Sequence, residues 1–154
     1  MERNGLRVLV VEDDPYSRRL IVRMLRNVGI TEIDEAGDGC TAIELYAKDW
    51  PHVVVCDVDM QPMGGIEFFE ILLNERQSLG RVAPVIFLTS HAESDIIAQV
   101  RRMGAASYLL KPASAAALAK RIDLALASQG DPYSGTPLAW GTRRAAQSNN
   151  SRVM

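Results

Sequence analysis

Several things are scarce in this chain, and each scarcity excludes something. There are only two cysteines, Cys40 and Cys56, and they lack the paired spacing of a zinc site or a disulfide framework. They read as small core or near-core thiols in a reducing compartment. The formal net charge is -2, too small to point to nucleic acid or an anionic membrane surface as a partner. No apolar run reaches the ~18 residues of a membrane-spanning helix. Nothing from Met1 to Leu6 has the form of a signal peptide, so the expected location is the cytoplasm. No segment repeats, and no second domain is marked out by composition.

What is present is a globular pattern. The chain has 154 residues, 47% of them hydrophobic, enough for one self-sufficient core. Four short apolar runs read as strands, Leu6 to Val11, Val53 to Cys56, Val85 to Leu88 and Ser107 to Leu110, and the short, largely polar stretch Thr31 to Ala36 is a fifth strand candidate. Five helical stripes alternate with them. The first opens on Asp14-Pro15, a cap followed by proline at the first helical position, and closes at Gly29. The second ends near Trp50-Pro51, and the third fades from Leu73 through Asn74 to Gly80. The fourth starts at Glu93 or Ser94 and ends at Gly104, and Ser114 can cap the fifth. Alternation at this spacing predicts βαβ units, a parallel sheet and helices on both faces. Residues 1–128 form the expected domain. Residues 129–154 are rich in Gly, Pro, Ser, Asn and Arg, include Trp140 and Arg143-Arg144, and read as a flexible tail or docking arm.

The chemistry gathers at Val53 to Gly65, VVVCDVDMQPMGG. A buried strand there runs straight into Asp57, and Pro62, Gly64 and Gly65 force a loop. In an open parallel sheet, ligands bind beyond the carboxyl ends of the strands. Polar groups collect at those ends: Glu12 and Asp13, Asp57 with Asp59 beyond it, Thr89 and Ser90, and Lys111. With strand order 2-1-3-4-5, the topological switch point would bring Asp13 and Asp57 together. Crowded carboxylates repel, so at least one pKa should rise in the empty site. Mg2+, held by carboxylates and water, would relieve that repulsion. Asp57 would then attack a phosphoryl group as a nucleophile, while Lys111 supplies a point charge and Thr89 a hydroxyl donor.

These residues together resemble the receiver domain of bacterial two-component response regulators (CheY-like). The resemblance covers about residues 5 to 128. It rests on the acidic pair, Asp57, Thr89 and Lys111-Pro112 at the ends of the matching strands. It implies a flavodoxin-like (βα)5 fold and an Asp57 that takes phosphate from a sensor histidine kinase or a phosphotransfer protein. It further implies Asp13 and Asp57 as direct Mg2+ ligands, Glu12 acting through water, and the backbone carbonyl of Asp59 as a further ligand. Thr89 and Tyr108 match the family's switch pair, and Lys111-Pro112 matches a bond that is usually cis. Output would come from binding a downstream protein target, with homodimerisation as a related use of the same face, since no DNA-binding or enzyme domain is legible. Such a protein is a phosphoacceptor that assists its own phosphorylation and dephosphorylation, not an enzyme. The sequence departs from the usual pattern at Met60-Gln61-Pro62, where proline falls one place late, and at Asp59, Ser90 and Ala113.

Two other readings remain at this stage. A haloacid-dehalogenase-like phosphatase would use Asp57 and Asp59 as nucleophile and general acid, although its motifs occur in a different order. A pseudo-receiver would bind partners without phosphate. Among the remaining residues, Asp14 reads as a helix cap, His52 as structural or exposed, and His91 as a loop residue, with contact at the site mouth as the alternative. Met60 and Met63 read as packing.

Overall fold

The computed structural model describes residues 3–79, 82–90 and 94–129. The expectations for Glu93, His91 and the tail from residue 130, with Trp140 and Arg143-Arg144, lie outside them. The elements run β1 (Arg7–Val11), α1 (Pro15–Asn27), β2 (Glu32–Ala36), α2 (Gly39–Asp49), β3 (Val53–Asp57), α3 (Gly65–Asn74), α4 (Arg76–Leu79), β4 (Val85–Thr89), α5 (Ser94–Arg102), β5 (Ser107–Leu110) and α6 (Ala115–Gln129). All four strand pairings are parallel, in the order β2-β1-β3-β4-β5. This is the doubly wound, flavodoxin-like arrangement, with its switch point between β1 and β3.

Strand alternation sorts the core into two layers. Leu9, Val11, Val54, Cys56, Val85 and Phe87 pack with Tyr46 of α2, Phe68, Phe69 and Leu72 of α3 and Val100 of α5. Phe69 meets Phe87 edge to face at 5.7 Å between ring centroids. The alternate residues Val8, Val10, Val53, Val55, Ile86 and Leu88 pack with Ile21, Val22 and Leu25 of α1 and Leu118, Ile122 and Ala125 of α6. All five residues of β3 and all five of β4 are buried. These inner strands therefore carry continuous apolar runs, whereas the edge strand β2, EIDEA, is acidic and buries only Ala36 fully.

The helix boundaries follow their local signals. The Asp14 carboxylate accepts the Ser17 N–H at 2.8 Å, with Pro15 behind it. Ser114 Oγ accepts the Ala117 N–H at 3.0 Å. Gly29 and Gly104 both take φ +96°, the left-handed turn that ends a helix. Trp50 closes α2 at φ 40°. His52 is exposed, and its Nδ1 accepts the Arg7 N–H at 2.9 Å.

The structure differs from expectation in small ways. The fading end of the third helix forms a separate four-residue turn, α4. β3 and β4 each extend one residue further than the apolar runs, to Asp57 and Thr89. Ladder bonding continues past the side-chain change: Val58 N–H reaches Leu88 O at 3.0 Å and Lys111 N–H reaches Thr89 O at 2.8 Å. Cys56 lies in the core as expected, but Cys40 is exposed on α2. Both Lys111-Pro112 and Gln61-Pro62 are cis, and the second was not anticipated.

Candidate functional site

The site lies at the carboxyl edge of the sheet, beside the switch point. Period-two alternation continues past the strand ends and places its residues. Glu12 follows Val8 and Val10, Asp57 follows Val53 and Val55, and Lys111 follows Ser107 and Leu109. All three thus share the side of the sheet covered by α1 and α6. Lys111 Nζ lies 2.9 Å from Glu12 Oε1 and 3.1 Å from Asp57 Oδ1.

Glu12 is 1% exposed and Asp57 5%. Charges this deep must be paired. Besides Lys111, Glu12 accepts the Asp14 N–H through Oε2 at 3.2 Å, and its own N–H donates to Ala36 O at 3.0 Å. The Asp57 pKa is pushed up to about 6, first by burial and then by the negative charge of Glu12, with Lys111 pulling the other way. Burial of the Lys111 ammonium works against its charge, but the bond to Glu12 and the nearby Asp57 outweigh it, so its pKa rises. The Cys56 thiol is raised well above its ordinary value by burial, then by Asp57 and Glu12. It stays protonated, 3.3 Å from the Asp57 carbonyl oxygen, and does not compete as a nucleophile.

Asp13 is partly exposed, and the Gln61 N–H donates to its Oδ2 at 3.3 Å. One carboxylate oxygen each from Glu12, Asp13 and Asp57 lies within 4.8 Å of the others. Three oxygen donors from two strand ends, so close together, match the preference of a hard divalent cation. The residues present therefore fit a metal. Beside them, Asp13, Asp59, Gln61, Gly64 and Glu67 line an open cavity of about 320 Å³.

Other residues expected at the site fall around this cluster. Thr89 is 1% exposed at the end of β4, and Ser90 beyond it is exposed. Tyr108 is half-buried against the α5-side core, register-paired with Phe87. Asp59 is exposed, and its carboxylate is not part of the three-residue group. Gly65 serves the site in a way that spacing did not reveal. A methyl there would collide with the Asp57 carbonyl oxygen and crowd the Cys56 sulfur at 3.1 Å. Sequence reasoning also missed Arg18, whose Nη1 donates to the Glu12 carbonyl at 2.8 Å. It is one of four arginines on α1, and nothing in its spacing singles it out.

A doubly wound sheet with an acid cluster and one lysine at its switch point defines a class of signalling domain. The match to the response regulator receiver domain model spans residues 8–123, and the chain belongs to that family. It is 36% identical over 120 residues to the transcriptional regulatory protein PdtaR of Mycobacterium tuberculosis, covering 78% of this chain and 56% of that one. The chain thus spans little more than half the length of this relative. It is 30% identical over 119 residues to the chemotaxis protein CheY-3 of Vibrio cholerae, covering 77% of this chain and 90% of the relative. The solved structure of Vibrio cholerae CheY4 matches with a TM-score of 0.69 at 28% identity, covering 77% of this chain and 96% of that one. Receivers of this kind are phosphoacceptors in two-component signalling, not classical enzymes. Among the described residues, no helix is long and apolar enough to cross a membrane.

Family membership sets aside the phosphatase reading. Its Asp-x-Asp motif should follow a first strand, whereas Asp57 ends β3.

Proposed function

We propose that Asp57 accepts a phosphoryl group from a sensor histidine kinase or a phosphotransfer protein, and that this switches a surface for a downstream protein target. The observation that carries the reading is the single ammonium of Lys111 bridging Glu12 and Asp57 beside Asp13. Glu12, Asp13, Asp57 and the backbone carbonyl of Asp59 would hold Mg2+, which when bound supplies positive charge to the phosphoryl oxygens.

The chain's own residues do the rest. An Asp57 carboxylate oxygen attacks phosphorus, forming the acyl phosphate O–P bond as the N–P bond of the donor phosphohistidine breaks. The electron pair returns to the imidazole, which picks up a proton. Lys111 shifts from its carboxylate partners to a phosphoryl oxygen, and the Thr89 hydroxyl donates to another. Tyr108, on the neighbouring strand, follows Thr89 and carries the change to the face of α5, β5 and α6, where a protein target or a second copy would bind. Phosphorylation then biases a two-state population.

The test is intact-mass measurement after treatment with acetyl phosphate and Mg2+, with the labelled residue mapped. One phosphoryl group should appear on Asp57 and vanish in Asp57→Asn. Label that persists on another residue, or no label in the wild type, would remove Asp57 from this role. The second result would favour a phosphate-independent pseudo-receiver.

A further inference from the structure

We infer that Arg18 is a positioning residue for the acidic cluster, and that it ties the edge strand β2 to the metal-holding acids. This rests on the phosphoacceptor reading above. The argument begins where β1 leaves the sheet. Val11 is the last residue of β1 in register with both neighbours, opposite Ala36 of β2 and Cys56 of β3. The Glu12 N–H still bonds Ala36 O, at 3.0 Å. Beyond that the chain turns into α1, and the Glu12 carbonyl has left the ladder. A buried carbonyl needs a donor, and Arg18 Nη1 supplies it at 2.8 Å.

That carbonyl belongs to the peptide joining Glu12 to Asp13. Its rotation decides how the two carboxylates stand relative to one another. The guanidinium is itself aimed, because Arg18 Nε donates to Glu35 Oε1 at 3.2 Å. Glu35 immediately precedes Ala36, the residue that holds the other end of Glu12. Two N–H groups of one rigid plane therefore grip the site's main chain and the edge strand together. The Arg18 backbone N–H bonds Asp14 O at 2.9 Å, which fixes the side chain's point of origin one helical turn from the acids.

The Arg18–Glu35 ion pair is partly exposed, with side chains 23% and 43% accessible. A pair so placed adds little to stability. Its consequence is geometric: it orients the donor to Glu12. A Lys at this position would keep the charge, but its single flexible ammonium could not hold both partners in one plane.

The experiment compares wild type, Arg18→Lys, Arg18→Gln and Glu35→Gln. Mg2+ binding is read by titration calorimetry. Acetyl phosphate labelling is read against Mg2+ concentration, and metal-free melting curves report folding. Both Arg18 variants should bind Mg2+ roughly tenfold more weakly, the low end for loss of an outer-shell partner. Glu35→Gln should fall between them and wild type. Metal-free melting of the Arg18 variants should fall by a few degrees, because the Glu12 carbonyl loses its donor, while labelling at saturating Mg2+ should recover towards the wild-type rate. Wild-type affinity in both Arg18 variants overturns the inference. So does wild-type affinity in Arg18→Lys alone, because charge would then suffice. If Arg18→Gln fails to fold, Arg18→Lys and Glu35→Gln decide the matter. Absence of Mg2+ binding in the wild type would instead sink the underlying reading.

Discussion

Lys111 Nζ stands 3.1 Å from Asp57 Oδ1 while holding Glu12 Oε1 at 2.9 Å, so one ammonium pairs with acids delivered by two different strands. The pairing keeps two buried carboxylates compatible with folding, and under the proposed function the same ammonium would turn to a phosphoryl oxygen.

Removing that cation should show in two measurements. Lys111→Ala should slow acetyl phosphate labelling of Asp57 roughly a hundredfold, the scale for losing one charge-stabilising donor. It should also lower stability in urea at neutral pH by about 1–3 kcal/mol, because Glu12 and Asp57 remain buried without it. Unchanged labelling would mean that Lys111 does not touch the reacting group.

Asp57 should weaken the metal-free fold at neutral pH. Its pKa rises from 3.8 to about 6 on folding, so the ionised form is disfavoured in the native state. The unfolded chain releases this proton near 3.8 and the folded chain near 6. Between those values the folded state holds more protons, so stability falls as pH rises and levels off above about 6. With solvent screening the full effect is on the order of 1–3 kcal/mol. Asp57→Asn, measured by urea unfolding in chelator, should therefore gain on wild type as pH climbs from 4 to 7. A difference that stays flat with pH contradicts the raised pKa.

Mg2+ should stabilise the protein in a concentration-dependent way, because the folded state brings the Asp57 carboxylate to those of Glu12 and Asp13, from which it is distant in the unfolded chain. At a hundredfold excess over the dissociation constant the gain is about 2.7 kcal/mol. EDTA should reverse it, and Asp13→Asn should shift the response to higher Mg2+. A melting midpoint indifferent to Mg2+ would argue that the cluster holds no metal.

Gly65→Ala should damage the fold and the site together. The added methyl meets the Asp57 main-chain carbonyl, which cannot swing away as a side chain could. A loss of about 1–3 kcal/mol is expected for such overpacking. Slower Asp57 labelling should accompany it in the folded fraction. Wild-type stability and labelling would show that α3 can shift without disturbing β3.

Much of this site was legible because it depends on strand ends. An apolar run marks a strand, and the first polar residue after it marks the carboxyl edge of the sheet. Glu12, Asp57, Thr89 and Lys111 were all placed at that edge this way. The cap at Asp14 and the turns at Gly29 and Gly104 were equally local. Arg18 and the close approach at Gly65 were not, because each depends on a distance between segments that no spacing encodes. Cys40 misled, since a small residue type does not reveal which face of a helix it occupies.

By itself the sequence determined which elements form, their parallel arrangement, and which residues would stand at the carboxyl edge, because periodicity and capping act over a few neighbouring residues. Tertiary structure alone decided that Lys111 would bridge both acids, that burial would raise Asp57, and that Arg18 would hold the Glu12 carbonyl. Those outcomes depend on ångström separations across the sheet and on exclusion of water, and both arise only when the strands come together.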